Sequence, residues 1–193
     1  MRKPDGCPWD SVQTHESIRI NMIEEAYEAV DAIDTHDLEN MQEEFGDVLL
    51  QSLLQSAIAR RDGEFDFDDV CDGLCKKLIG RHTFIFGVDS ASNADDALKL
   101  WDKNKSVEKH YNDVKSQLQA LPDAFPSLLR CQKAHKKIKK SGAAVQPETD
   151  LKAALEKRDY AQAIAACTAL LSDEGKDAEV ELNRVVRDKI NGL

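Results

Sequence analysis

Helical periodicity runs through almost all of this 193-residue chain. Apolar residues recur at steps of three and four, and a strand-like alternation is nearly absent. Gly and Pro are concentrated at the start, at 63, 73–87, 122–126 and 142–147, and near the end. The pattern predicts an all-α fold, an antiparallel helical bundle. One helix is expected to begin near Thr14 and His15 and to run to about Ile33, with Ile18, Met22, Ala26, Ala29 or Val30, and Ile33 on one face. Residues 34–37 read as a short connection in which Asp37 caps a second helix over 38–61. Its apolar side is marked by Leu38, Met41, Phe45, Val48, Leu49, Leu53, Ala57 and Ile58. Further helices are predicted over 67–79, 94–120, 127–140, 148–171 and 177–190. Leu121-Pro122 is the best boundary, separating a domain of residues 1–121 from a helical extension, 122–193.

Charge is distributed unevenly. The net charge is −10, yet residues 1–74 hold 19 acidic against five basic side chains, and the rest is slightly basic. An acidic front half is a poor nucleic-acid surface and a good place for hard cations. No apolar run approaches the roughly 18–20 residues that span a bilayer, and the first residues lack a signal peptide's apolar segment, so no membrane role and a cytoplasmic location are expected. Five Cys in such a chain read as reduced thiols.

The acids are spaced as well as numerous. The first long helix carries Glu24-Glu25-Ala-Tyr-Glu28, and the second Glu43-Glu44-Phe-Gly-Asp47. At 100° per residue, each motif sets carboxylates on adjoining turns of one face. If the two helices are antiparallel neighbours, four carboxylates converge on one volume. Such repulsion destabilises a bundle unless a cation offsets it, and Mg²⁺ suits hard oxygen ligands while keeping waters that a phosphate can displace. One such motif on a solvated face arises by chance in a chain with 36 acids. The pairing, the adjoining apolar positions and the scarcity of Lys or Arg at i,i+4 favour a site. Gly46 inside the second helix costs about 1 kcal/mol relative to Ala, and close approach of a backbone or ligand is one reason to retain it. The absence of a Glu-x-x-His pattern argues against di-iron.

These motifs, in order, carry a family likeness. Cys7-Pro8-Trp9-Asp10, Gln13-Thr14, the acids at 24–28, and 43–47 followed by Val48-Leu49-Leu50-Gln51 resemble the MazG-type nucleoside triphosphate pyrophosphohydrolases. The resemblance continues through Phe65-Asp66-Phe67, Lys77-Leu78, Arg81-His82, Phe86, Trp101, Lys105 and 128–133. It implies an all-α, Mg²⁺-dependent enzyme, with Mn²⁺ able to substitute, that splits nucleoside triphosphates between the α and β phosphates. It also implies a homo-oligomer, most simply a dimer, that completes the bundle across subunits. On the matching positions Glu25, Glu28, Glu44 and Asp47 would be metal ligands, and Glu24 a group that orients or deprotonates water. Helical angles do not separate Glu24 from Glu25. Longer relatives carry two such domains in tandem, and here residues 163–179 look like the end of a shortened second copy. The stretch aligned with the second acidic motif reads Arg158-Asp159-Tyr160-Ala161-Gln162, and no acidic motif lies a helix upstream.

Other residues have two readings each. Trp9 could stack on a nucleobase or plug a core beneath the chain terminus. Arg81 and His82 could meet triphosphate oxygens or simply cap a helix C-terminus. Lys105 could join them or lie on a charged surface. Cys71 and Cys75 at i,i+4 fit apolar packing better than zinc, and the lysines of 133–140 fit a solvated helix better than a nucleic-acid patch. Residues 151–164 resemble a tetratricopeptide hairpin. They support a rival function, a non-catalytic helical interaction or regulatory module, which would release no pyrophosphate.

Overall fold

The computed structural model describes residues 6–193 and is helical throughout, with no strand among them. The chain forms two compact units, one ending at Asp102 and the other spanning Lys103–Leu193. The division falls inside a helix, 19 residues before the expected Leu121-Pro122 boundary. Its cause is local: the short helix that follows packs on the second unit's first long helix.

The first unit is built on a hairpin. After the short α1 (Pro8–Val12), α2 spans Arg19–Thr35 and α3 spans Leu38–Asp62. α2 begins later than the periodicity predicts, because Thr14 and Ser17 bond each other's backbone N–H groups through their hydroxyls and hold a turn there. The connector is two residues long. His36 adopts the left-handed conformation, and the Asp37 side chain accepts from the Asn40 N–H. Beneath it Ala32 is completely buried. α3 ends at Gly63 with positive φ, as glycine allows without strain. α4 (Phe67–Arg81) starts with a capping box between Asp66 and Asp69, and α5 (Thr83–Phe86) follows at once.

The apolar faces expected to form a core are largely not covered within the chain. Ile18, Ala29, Ala32, Ile58 and Ala59 are buried, but Met22, Val30, Ile33, Leu38, Phe45, Leu49 and Leu53 are exposed. α4 packs only lightly on α3, and its residues 68–80 are exposed throughout. A Cβ on Gly46 would meet nothing within 4 Å, so no backbone among the described residues approaches it.

The helix expected over 94–120 is two helices, α6 (Ala94–Glu108) and α7 (Val114–Gln119). His110 turns to positive φ, and Asp113 caps the new helix through a reciprocal bond pair with Ser116. α8 spans Ser127–Lys140. The helix expected over 148–171 also divides, into α9 (Pro147–Glu156) and α10 (Tyr160–Asp173), and α11 (Ala178–Asn191) follows with Asp177 as its cap. In this second unit α10 is central, with α8, α9 and α11 packed on it. Gln132, almost wholly buried, locks α8 to the α10–α11 turn by donating to the Lys176 carbonyl at 2.6 Å and accepting from the Ala178 N–H at 3.2 Å. Among the described residues no helix is long and apolar enough to cross a membrane.

The α9–α10 connector repeats the α2–α3 connector. Arg158 takes the left-handed conformation, Asp159 caps α10, and the Asp159 N–H bonds the carbonyl of buried Ala154. In the first hairpin the Asp37 N–H bonds the Ala32 carbonyl in the same way.

Candidate functional site

The α2–α3 connector sets two helices antiparallel and in register, which brings the acidic motifs together. Glu25, Glu28 and Glu44 each offer a carboxylate oxygen, and these oxygens lie within 4.8 Å of one another. The three differ in surroundings: Glu44 is buried, Glu25 half-buried and Glu28 exposed. Asp47, one turn beyond Glu44, is half-buried, and its charge acts on both Glu25 and Glu44. Glu24 is exposed.

Burial is the main reason that the Glu25 carboxyl titrates above its ordinary value, and the charges of Asp47, Glu28 and Glu24 raise it further. The Gln51 amide opposes this by donating to Glu25 Oε1 at 3.3 Å. Glu44 is raised in the same direction, first by desolvation and then by Glu28, Glu25, Asp47 and Glu43. Its Oε2 is buried with no hydrogen-bond partner, as is Oε1 of Gln51. Unpartnered buried oxygens cost free energy unless something satisfies them. A hard divalent cation would do so, and the all-oxygen donor set suits Mg²⁺ or Mn²⁺.

Gln51 ends the second family motif but receives no role from the sequence, although a signal exists. It stands seven residues after Glu44, two helical turns along the same face, where a buried amide can orient a carboxylate. The N-terminal segment is tied to the same helix, with His15 bonding Gln55 and the Arg61 guanidinium donating to the Gln13 carbonyl at 3.3 Å.

The remaining candidates lie elsewhere in the fold. Arg81, at the end of α4, is buried, with its guanidinium 5.1 Å from the centroid of the Trp101 ring. His82 caps α4, bonds the Leu78 carbonyl through Nδ1 at 2.8 Å, and packs edge-on against Trp101 and Phe84. Trp9 is exposed on α1. Lys105 is half-buried on α6, within the second unit. Cys71 and Cys75 are exposed rather than packed in a core.

An all-α domain whose central hairpin converges carboxylates from both helices is thereby defined as a class. Residues 13–86 match the family model described as "MazG nucleotide pyrophosphohydrolase domain". It is 41% identical over 136 residues to the "Uncharacterized protein YabN" of Bacillus subtilis, covering 70% of this chain and 28% of that protein. It is 36% identical over 143 residues to the "Nucleoside triphosphate pyrophosphohydrolase" of Escherichia coli K12, covering 74% and 54%. It is 46% identical over 109 residues to the "Nucleoside triphosphate pyrophosphohydrolase/pyrophosphatase MazG" of Thermotoga maritima, covering 56% and 41%. The chain spans at most about half the length of these relatives.

Proposed function

We propose that this protein is a Mg²⁺-dependent nucleoside triphosphate pyrophosphohydrolase, acting at the α–β bond to release a nucleoside monophosphate and pyrophosphate. The observation that carries the reading is the buried, unpartnered Glu44 oxygen with the Glu25 and Glu28 carboxylates gathered beside it. The family-model match over residues 13–86 and the activity for which two relatives are named support the same reading.

In this reading Glu25, Glu28, Glu44 and Asp47 hold the divalent cation. The ion supplies neutralisation of phosphate oxygens and a lower pKa for water, the chemistry that phosphoryl transfer requires. Gln51 fixes the orientation of Glu25, and exposed Glu24 accepts the proton of the attacking water at its carboxylate. Arg81 and His82 are immobilised against Trp101, so their role in binding the triphosphate is as a rigid basic wall. Trp9 is reserved for the base. Mn²⁺ substitutes for Mg²⁺ at oxygen ligands of this kind.

A second copy of the chain covers the exposed apolar sides of α2 and α3 in this proposal. Phe45 and Leu49 flank the open space at Gly46, where a neighbouring backbone can come close. A cytoplasmic dimer is the simplest assembly that meets this need.

The deciding experiment is a panel of ribo- and deoxynucleoside triphosphates with Mg²⁺, scored for monophosphate plus pyrophosphate against diphosphate plus phosphate. Release of pyrophosphate that ceases on chelation supports the reading. Absence of turnover throughout the panel overturns it in favour of a helical interaction module.

A further inference from the structure

The second unit holds a cleft of about 490 Å³. α8 and α9 both pack on α10 but not on one another, and the gap between them is the cleft. Its position becomes informative when residues are counted from the two matching connectors. Glu25 and Glu28 stand twelve and nine residues before the cap Asp37, and Glu44 and Asp47 stand seven and ten after it. The same offsets from Asp159 fall on Pro147, Asp150, Ala166 and Ala169, and all four line the cleft. The offset of Gln51 falls on Asp173, which bonds His135 Nε2 at 2.8 Å and the Lys139 ammonium at 2.7 Å. The cleft is therefore the second hairpin's counterpart of the carboxylate cluster, with three of its four acid positions replaced.

The replacements decide what can bind. One carboxylate among four positions is no divalent-cation site, and Ala166 and Ala169 leave a flat apolar floor. Fixed charges in the lining are the carboxylates of Asp150 and Asp159 against the single ammonium of Lys157, which disfavours an anion. Along one wall lies His135, 8% exposed and oriented by Asp173. A volume in the usual range for small ligands, an apolar floor and a few polar groups suit an uncharged planar heterocycle.

We propose that this cleft binds an uncharged nucleoside without metal, as a site separate from the one at Glu44. The choice of a nucleoside within the class of uncharged heterocycles rests on the nucleotide chemistry proposed for the first hairpin.

The test uses the full chain carrying Glu28→Gln, so that the first site cannot turn over or contribute metal-dependent binding. Adenosine, guanosine, cytidine and uridine are titrated by calorimetry at millimolar concentration, with chelator and with Mg²⁺. The expected result is binding of at least one nucleoside in a 1:1 ratio, unchanged by Mg²⁺. Its 5′-monophosphate should bind on the order of tenfold more weakly. Ala169→Phe should weaken nucleoside binding by at least roughly tenfold by filling the floor. Cys131 lines the cleft, so a bound nucleoside should also slow its alkylation in peptide-resolved mass spectrometry, a readout that stands even if Ala169→Phe does not fold. Binding that requires Mg²⁺, tighter binding of the monophosphate, or no protection of Cys131 at saturating nucleoside would overturn the proposal. Those results would leave pyrophosphate release by the unaltered chain untouched, and failure of that release would leave the calorimetry untouched.

Discussion

The two helical hairpins share a connector and differ in almost everything the connector holds apart. In each, a non-glycine residue in the left-handed conformation precedes an Asp cap and sits over a buried Ala. The first hairpin has helices of 17 and 25 residues, and the second has helices of 10 and 14. The second helix of the later pair is thus eleven residues shorter, close to three full turns at 3.6 residues each. Both helices start at the cap, so a shorter far end leaves the facing positions near the connector unchanged, and the second pair still packs. The hairpin's fold rests on a cap and a small residue beneath it, and survives shortening. A site depends on acids at fixed offsets from that cap, and in the second hairpin Pro147, Ala166 and Ala169 stand at three of those four offsets.

The largest effect that separates the hairpins is on turnover. Glu28→Gln or Asp47→Asn should lower pyrophosphate release by orders of magnitude while the circular dichroism spectrum and the Tm in chelator stay native, because each removes one cation ligand from an exposed or half-buried position. Retained turnover in both variants would break the assignment of the site to the first hairpin. Asp150→Asn, at the counterpart of Glu28, should leave turnover unchanged.

Next comes stability, with opposite signs at equivalent positions. Ala166→Glu buries a carboxylate on an apolar floor, and should destabilise the second unit by roughly 3 kcal/mol. Glu44→Ala in chelator should be neutral or mildly stabilising, since it removes a buried carboxylate repelled by its neighbours. Denaturant melts of the two variants beside the parent check both signs. A stable Ala166→Glu protein would mean that the second hairpin accommodates charge as the first does.

Much of this contrast is legible in the order of the amino acids. Asp37 as a cap, the EExxE and EExGD motifs at helical spacing, and the helices over 38–61, 67–79 and 127–140 can be read there because caps and periodicity are local properties. The two helices expected to run through, over 94–120 and 148–171, break at His110 and Arg158, residues that carry no glycine-like mark of a left-handed turn. That hides the second connector, and it leads sequence alignment to pair Asp159 with the second acidic motif when its geometry matches Asp37. Gln51 is hidden for another reason: an amide in an apolar run gains its role only from the carboxylate on the facing helix. The exposed faces of α2, α3 and α4 mark the remaining limit, because periodicity tells which side is apolar and not whether this chain or another covers it.

Cation binding gives a smaller, graded effect. At about 100 times its Kd, a ligand bound only to the folded state adds roughly 2.7 kcal/mol, and each kcal/mol raises the Tm of a unit of about 100 residues by roughly 4–8 °C. Mg²⁺ should therefore raise the Tm of the first unit by several degrees or more, with no rise in Glu44→Gln. The second unit's transition should not move. A shift of equal size in both units, or one that survives Glu44→Gln, would detach the ion from the cluster.

The smallest effect is a slope with pH, and its sign follows from the same carboxylates. Glu25 and Glu44 are raised above the ordinary Glu value of 4.5 in the folded state, so the folded chain holds protons that the unfolded chain has released. Where the unfolded state binds fewer protons, stability falls as pH rises. The penalty is absent below the unfolded value and fully present above the raised folded ones. In chelator, the first unit should lose stability as pH climbs from about 4.5 upward, while Mg²⁺ should flatten or reverse the slope by favouring the ionised carboxylates. Asp173 works the other way in the second unit: Lys139 and His135 hold it below its ordinary range, so its contribution is present at neutral pH and is lost as pH falls through the lowered value. The two units should therefore lean in opposite directions across the acid range, and Glu44→Gln should reduce the first slope without touching the second. Parallel slopes for the two transitions in chelator would mean that the buried cluster does not carry the charge assigned to it.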